Sequence, residues 1–416
     1  MSEETQRPVR RLTRRMYETF ALCERRYWIE YERDFRRDVQ FDPWPPSKKS
    51  VLGMLLTRRD VHMSVGGDLA RLPELFSSYL KSDLLPFWHQ RTMEAGMDPN
   101  GFMDDLGRLA REYELNRILA HYCKTHSGDG PKLWLKGKTK RPIIDTMHES
   151  KPPIVCECSG AGCEKCNGTG FRRRSRWSYA AKLDGVVSIE GEPWVLVRKF
   201  TSTVDPEEMR KELDLRLDWI GHVWLASELI GQTVKGILFD IVRTKPPSLP
   251  ATVKCTSCKG VGTVPVNKDG TEEVADCPEC VGSGVGGMSK AGCDTTEELW
   301  LREAQLQLTP AQLQEVPTKH SELLDKLRER GESFAYRHPV PVSKFAVQEW
   351  LRDFYHTTRE LDMAKRENRW PRNPASCLCK GSKCPYRRPC RNDEDEKEAW
   401  YSKKVEMYPG EEPGSL

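Results

Sequence analysis

The sequence predicts an α/β protein: a central mixed sheet flanked by helices, with helical N- and C-terminal parts and two small cysteine-rich insertions. Three observations carry this reading. Residues 179–200 read as a β-hairpin, residues 205–230 as a capped helix, and residues 234–243 as an almost continuous apolar strand. On either side lie stretches whose apolar residues recur at three- and four-residue steps, the period of a helix.

Taken in order, residues 12–35 read as a helix, because Met16, Phe20, Cys23, Tyr27 and Tyr31 fall on one face. Residues 50–125 carry further helical patterns, with Leu69, Leu72, Leu75 and Phe76 among polar neighbours, and a Lys- and Pro-rich stretch covers 131–153. A first cysteine cluster, VCECSGAGCEKCNGTGF, follows. The period then switches to two: SYAAKLDGVVSI and EPWVLVRKF read as strands joined by the turn Glu190-Gly191-Glu192. The helix over 205–230 has Asp205 as its cap, Pro206 at its first position and Gly231 beyond its end. After the buried strand VKGILFDIVR, a second cysteine cluster occupies 255–284. Helices are expected over 308–330 and 343–366, the latter capped by Ser343, before an acidic, polar tail at 391–416 that should fray. The expected parts are therefore 1–150 (helical), 151–176 (insertion), 177–250 (core), 251–292 (insertion), 293–392 (helical) and 393–416 (tail).

The chain has 416 residues, 38% hydrophobic and 31% charged, enough for a substantial core. A net charge of +4 and a pI near 8.3 permit a polyanionic partner without requiring one. No apolar run approaches the ~20 residues that cross a bilayer, and the opening MSEETQRPVRRLTRR has no apolar signal core. A cytosolic location and no membrane partner are expected. In that compartment, 15 cysteines point to metal rather than disulfides. Only Cys123 and Cys293 stand apart from the clusters, and they read as ordinary thiols.

Cys255-x-x-Cys258-x-Gly-x-Gly and Cys277-x-x-Cys280-x-Gly-x-Gly are two copies of one knuckle. Each places two thiolates on one metal, so the pair completes a tetrahedral zinc site. The first cluster is less regular. Cys163 and Cys166 form such a knuckle, but Val155 stands where the other would have cysteine, and Cys156 joins Cys158 instead. These four are read as a second zinc site. Both clusters resemble the cysteine-rich repeats of the DnaJ chaperone family, over these short stretches alone; the His-Pro-Asp tripeptide of a J-domain is absent from the chain. The run FRRRSR follows directly, and Arg172, Arg173, Arg174 and Arg176 are candidates for phosphate contact.

A last group joins the two ends of the chain: Cys23 with Cys384, Cys390 and either Cys377 or Cys379. Four thiolates gathered in this way suit an iron–sulfur cluster or a zinc ion. Between them, the hairpin sets Asp184 on one strand and Lys199 on its neighbour. A carboxylate so placed can hold Mg²⁺ or Mn²⁺ beside a scissile phosphate while a lysine orients the attacking water.

The order of these features resembles the RecB-like branch of the PD-(D/E)XK nucleases, especially its phage-type and CRISPR-adaptation members with an iron–sulfur clasp. The resemblance runs through Cys23, Arg26 and Tyr27, the Asp184 hairpin, Lys199 with Thr201-Ser202, GILFDIVRTKPP, FAYRHPVPVS, RNPASC and CPYRRPC. It implies a restriction-endonuclease-like core and a 4Fe–4S cluster on Cys23, Cys377, Cys384 and Cys390, Cys377 being preferred for its place in RNPASC. It further implies a metal-dependent DNA exonuclease, with DNA and a helicase or other DNA-processing protein as partners, in the cytosol of a bacterium or a phage-infected host. Asp184 would be its metal ligand and Lys199 its catalytic lysine.

The departures from the family pattern lie in the active site. Val197 stands where the family has an acidic ligand, and Thr57, four residues after Gly53, where it has a metal-contacting histidine, His62 lying further on. Ile220 and Trp224, with His222 between them, replace a glutamine and a tyrosine on the following helix. Asp184 and the Arg198 backbone carbonyl are then the visible ligands, enough for weak Mg²⁺ binding, and Glu208, Glu212 or Asp218 could migrate into the role of the second carboxylate. The expected function is thus a nuclease of weakened activity; the alternative is a catalytically inactive relative that binds DNA or a DNA-processing partner.

Overall fold

The computed structural model describes residues 10–32, 35–37, ten positions between 55 and 78, 132–133, 135–136, 141–143, 146–156, 158, 163–167, 169–215, 218–245, 247–268, 271–289, 294–329, 334–377, 384, 386, 390 and 401–403. Cys123, Cys293, Cys379 and Gly53 lie outside the described residues, as do most of the helical patterns expected over 50–125.

The first described elements are β1 (Arg10–Thr13) and α1 (Arg14–Leu22), whose cap is Thr13: its hydroxyl accepts the Met16 amide. The single helix expected over 12–35 is broken. Cys23 is extended, with φ −165° and ψ 109°, before the short α2 (Glu24–Tyr27) and a π-helical turn over Trp28–Glu32. The break is stabilised from the far end of the chain. Asn373 donates its side-chain amide to the Leu22 carbonyl at 2.9 Å, and the Arg25 amide reaches the Pro371 carbonyl at 3.1 Å. Groups at the break of the helix ladder therefore have partners. Tyr27, fully buried, packs edge-on against Phe20 and stacks on Trp370.

Short strands follow: β2 (Phe35–Arg37), β3 (Lys132–Leu133), β4 (Leu135–Lys136), β5 (Arg141–Pro142), β6 (Thr146–Ser150), β7 (Pro153–Val155) and β8 (Phe171–Arg174). β7 and β8 pair as the stem of the first cysteine insertion. The stretch expected to be one strand before Glu190 is two, β9 (Trp177–Leu183) and β10 (Gly185–Ile189), separated by a bend at Asp184. β9 joins β1 and β6 in one sheet, whereas β10 belongs to another. β11 (Glu192–Thr201) returns through a tight turn in which Glu190 (φ 52°) and Gly191 (φ 82°) are both left-handed, the hairpin turn that matches strand twist.

The helix expected over 205–230 is also two: α3 (Pro206–Asp214) and α4 (Ile220–Ile230). Its predicted ends are observed, since Asp205 accepts the Glu207 and Glu208 amides and Gly231 closes α4 at φ 69°. The two halves bury differently. α3 hides little beyond Leu213, whereas every residue from Ile220 to Ala226 is buried, so one straight helix could not seat both.

β12 (Gly236–Arg243) is buried throughout and runs parallel to β11. β13 (Thr252–Lys254), β14 (Thr263–Lys268), β15 (Thr271–Asp276) and β16 (Val285–Met288) form two hairpin pairs around the second cysteine insertion. The structure adds α5 (Glu297–Gln307) to the expected elements, and divides the helix expected over 308–330 into α6 (Pro310–Lys319) and α7 (Ser321–Glu329). β17 (Ala335–Pro341), α8 (Lys344–Glu367, capped by Ser343) and a 3₁₀ turn over Pro374–Cys377 complete the main body. In the region expected to fray, β18 (Tyr401–Lys403) pairs with β2.

The result is a mixed α/β structure with several sheets. The largest has the order β17–β12–β11–β10–β3, parallel only between β11 and β12. One face, with Val186, Val195, Val197, Phe239 and Ile241, packs on α4 and α8 in the principal core. There the Tyr179 ring meets Trp350 at 4.9 Å, and Gly221 lets α4 approach: a Cβ at that position would lie 2.6 Å from both rings. The opposite face carries a smaller apolar group of Leu133, Val187, Leu196 and Leu238. Among the described residues no helix is long and apolar enough to cross a membrane.

Candidate functional site

Two four-cysteine groups close completely. In the second insertion, Cys255 and Cys277 lie 3.8 Å apart through sulfur, and Cys258 and Cys280 lie 3.6 Å apart. All four are buried. A tetrahedron of 2.3 Å zinc–sulfur bonds has edges of about 3.8 Å, so the cage fits such an ion. The glycines explain the repeat. The Gly262 amide donates to Cys258 Sγ at 3.3 Å and the Gly284 amide to Cys280 Sγ at 3.2 Å, a near-symmetric pair. Gly262 (φ 86°) and Gly284 (φ 73°) need left-handed backbone, and a Cβ on Gly284 would fall 2.6 Å from the Gly260 carbonyl. Burial alone would push the Cys258 thiol up, but the Gly262 and Gly260 amides bring it to about 7.

The irregular first insertion closes in the same way. Cys156 and Cys163 are 3.4 Å apart, Cys158 and Cys166 3.3 Å, and Cys163 and Cys166 3.7 Å. The Cys156 amide reaches the Gly170 carbonyl at 2.8 Å, matching the bond from the Cys277 amide to Gly262. The Cys-x-Cys spacing thus still delivers both sulfurs. The Cys158 backbone and the Arg172 side chain lower the Cys156 thiol to about 6. Arg172 therefore faces the cage, and Arg174 bonds the Lys151 carbonyl and the Glu228 carboxylate, leaving Arg173 and Arg176 as the exposed members of this run without those contacts.

The end-to-end group is assembled but wider. Cys384 donates its amide to the Cys377 carbonyl, and Cys384 and Cys390 pack against Trp28, Ile29 and Tyr386. Burial, and after it the charges of Cys377 and Cys23, push the Cys384 thiol up; Cys390 responds to the same neighbours. Among the described residues only the two insertion quartets bring their ligand atoms within 4.8 Å of one another.

No protein-family model matches this chain. No curated protein matches its sequence either.

The hairpin places Asp184 beside Arg198: Asp184 Oδ2 accepts the Arg198 backbone amide at 2.7 Å. Successive strand residues point to opposite faces. Lys199, on the Val197 side, lays its Nζ 5.0 Å from the centroid of the Phe239 ring. Arg198, on the Leu196 side, occupies the centre of a charged row. Pairing aligns Arg198 with Asp240 on β12, and Asp240 with Arg337 on β17. Arg198 Nε lies 3.6 Å from Asp240 Oδ2, and Arg337 Nε donates to Asp240 Oδ1 at 3.1 Å. From the helical residues 55–57 and 59–60, Asp60 pairs with Arg198 Nη2 and with Arg59, and the Thr57 hydroxyl meets Arg198 Nη1 at 3.4 Å.

This row is deeply buried. The Arg198 side chain is 4% exposed and that of Asp240 0%. Burial, opposed by Asp240 and aided by Arg337 and Arg59, lowers Arg198 to about 10, still protonated at neutral pH. Asp60, Asp240, Arg337 and the side chain of Arg198 escaped the sequence reading. The available signals were one aspartate inside an otherwise apolar strand and one arginine inside FAYRHPV. Thr57 touches Arg198 at the position where the family pattern has histidine. His222 is a core residue: its Nδ1 meets Tyr179 Oη at 3.1 Å, and burial drives it to about 3. Asp218 pairs with Arg14, and Glu208 and Glu212 are exposed on α3.

Chemically, a guanidinium held by two carboxylates offers no open coordination position. Among the described residues, no group of three His, Cys, Asp or Glu ligand atoms gathers at Asp184.

Proposed function

We propose that this protein is a catalytically inactive relative of the RecB-like PD-(D/E)XK nucleases that binds DNA, alone or with a helicase or other DNA-processing partner, without cutting it. In this reading the β10–β12 region and its crossover helices are a restriction-endonuclease-like core, and the insertion quartets hold structural zinc. Cys23, Cys377, Cys384 and Cys390 carry a 4Fe–4S cluster; a multi-iron cluster spreads its thiolates further apart than a single ion does, in keeping with their wider spacing.

One observation carries the loss of hydrolysis: the Arg198 guanidinium between Asp60 and Asp240. Two-sided charge stabilisation by a metal is worth orders of magnitude in rate, and a fixed cation already bound by its carboxylates does not generate a nucleophile from water. The exposed Arg173 and Arg176 offer sequence-independent phosphate contacts beside the core.

End-labelled single- and double-stranded DNA is incubated with the protein and Mg²⁺ or Mn²⁺, beside an Asp184→Ala variant. The expected result is binding that weakens steeply with salt, with no cleavage by either protein. Cleavage by the parent and not by the variant would sink the proposal, and so would the absence of DNA binding.

A further inference from the structure

We propose that the first cysteine cage is an oxidation site, releasing its metal when a peroxide converts its thiolates to disulfides, while the second cage is inert. The proposal rests on the reading of both quartets as zinc cages. Three differences between them carry it. The first is access: Cys158 and Cys163 are half-buried, whereas all four cysteines of the second cage are buried. The second is neighbouring charge. The Arg172 guanidinium bonds Cys156, whereas a carboxylate, that of Glu279, lies 3.8 Å from Cys255 Sγ. Reactive thiolates sit in electropositive, partly exposed surroundings, and the first cage supplies both conditions. The third is pairing. Each half-buried cysteine has a buried partner beside it: Cys158 meets Cys166 at 3.3 Å, and Cys163 meets Cys156 at 3.4 Å. In the second cage both members of each pair are buried.

That pairing sets the order of steps. The thiolate of Cys158 or Cys163 attacks one oxygen of hydrogen peroxide; the S–O bond forms, the O–O bond breaks, and the departing hydroxide takes a proton and leaves as water. The thiolate of the buried partner then attacks the sulfenic sulfur. The S–S bond forms, the S–O bond breaks, and the second oxygen also leaves as water. Each pair thus gives two electrons to one peroxide molecule, with two protons drawn from solvent. Once both pairs have reacted no thiolate remains, and the zinc ion leaves with its ligands gone. The change is local. Ser175 still donates its amide to the Pro152 carbonyl at 2.7 Å, and Arg174 still bonds the Lys151 carbonyl and Glu228 on α4, so the β7–β8 stem stays on the core.

The test is a titration of the zinc-loaded full chain with hydrogen peroxide. Released zinc is read by atomic emission of the filtrate, and disulfides are mapped by mass spectrometry after alkylation. One zinc per chain is expected to leave at low peroxide, with Cys158–Cys166 and Cys156–Cys163 disulfides, while Cys255, Cys258, Cys277 and Cys280 are alkylated in full. Dithiothreitol with Zn²⁺ is expected to refill the cage. Arg172→Gln is expected to slow the release several-fold, and Arg172→Lys to match the parent. Equal oxidation of the two cages, no disulfide in the first, or a disulfide joining Cys163 to Cys166 would overturn the proposal. An Arg172→Gln rate equal to the parent's would overturn the part assigned to Arg172. Zinc content before treatment separates this proposal from the zinc reading: a parent chain without cage zinc fails both, whereas equal loss from two loaded cages fails this proposal alone.

Discussion

Asp184 and Arg198 are joined through the backbone: the carboxylate accepts the Arg198 amide at 2.7 Å. The arginine's side chain meanwhile reaches Asp60 and Asp240, so one residue ties the bend at Asp184 to a buried row across β11, β12 and β17.

Breaking that row is expected to be strongly destabilising. Arg198→Ala leaves the fully buried Asp240 with Arg337 as its remaining counter-charge, and losing one partner of a buried pair costs up to about 3–5 kcal/mol. Urea unfolding in the absence of divalent ions measures it; a variant within about 0.5 kcal/mol of the parent would show that the row is not coupled to folding.

The cysteine cages should bind two zinc ions per chain. Elemental analysis is expected to lose one zinc in Cys277→Ser and one in Cys163→Ser. Folding of each insertion is coupled to its metal, so strong chelators should melt these segments first. Gly284→Ala should weaken the second cage, because the new methyl would press on the Gly260 carbonyl and demand a left-handed backbone.

The end-to-end group is expected to make the purified protein brown, with broad absorbance near about 400 nm that Cys23→Ser or Cys384→Ser abolishes. Cys379→Ser should leave the colour intact. A colourless protein with three zincs would refute the cluster.

His222 makes stability depend on pH. Burial holds its folded-state value at about 3, against about 6.5 in the unfolded chain. Between those values the unfolded chain binds a proton that the folded one does not. Stability therefore falls as pH drops from about 6.5 towards 3, by at most about 1.4 kcal/mol per unit from this residue. His222→Gln is expected to flatten that part of the curve in denaturation series at fixed ionic strength.

Much was legible locally. Asp205, Pro206, Gly231 and Ser343 punctuate helices through bonds to residues within a turn or two, and their roles are as the sequence suggests. Three breaks were not legible. Cys23, the bend at Asp184 and the division between α3 and α4 lie inside continuous patterns, and each is set by a partner far away in the chain or by a change of sheet or buried face.

The site divides along the same line. Sequence alone determined the two insertion cages, because ligand spacing and glycine backbone freedom act over a few residues. It also picked out Asp184 and Lys199 but could not weigh them. Tertiary structure decided that Arg198, not its neighbour Lys199, lies at the centre of the charged row. That outcome depends on the register of three strands and on a helical segment more than a hundred residues away. A buried charge is compensated by whatever the fold carries to it, and no local pattern records that.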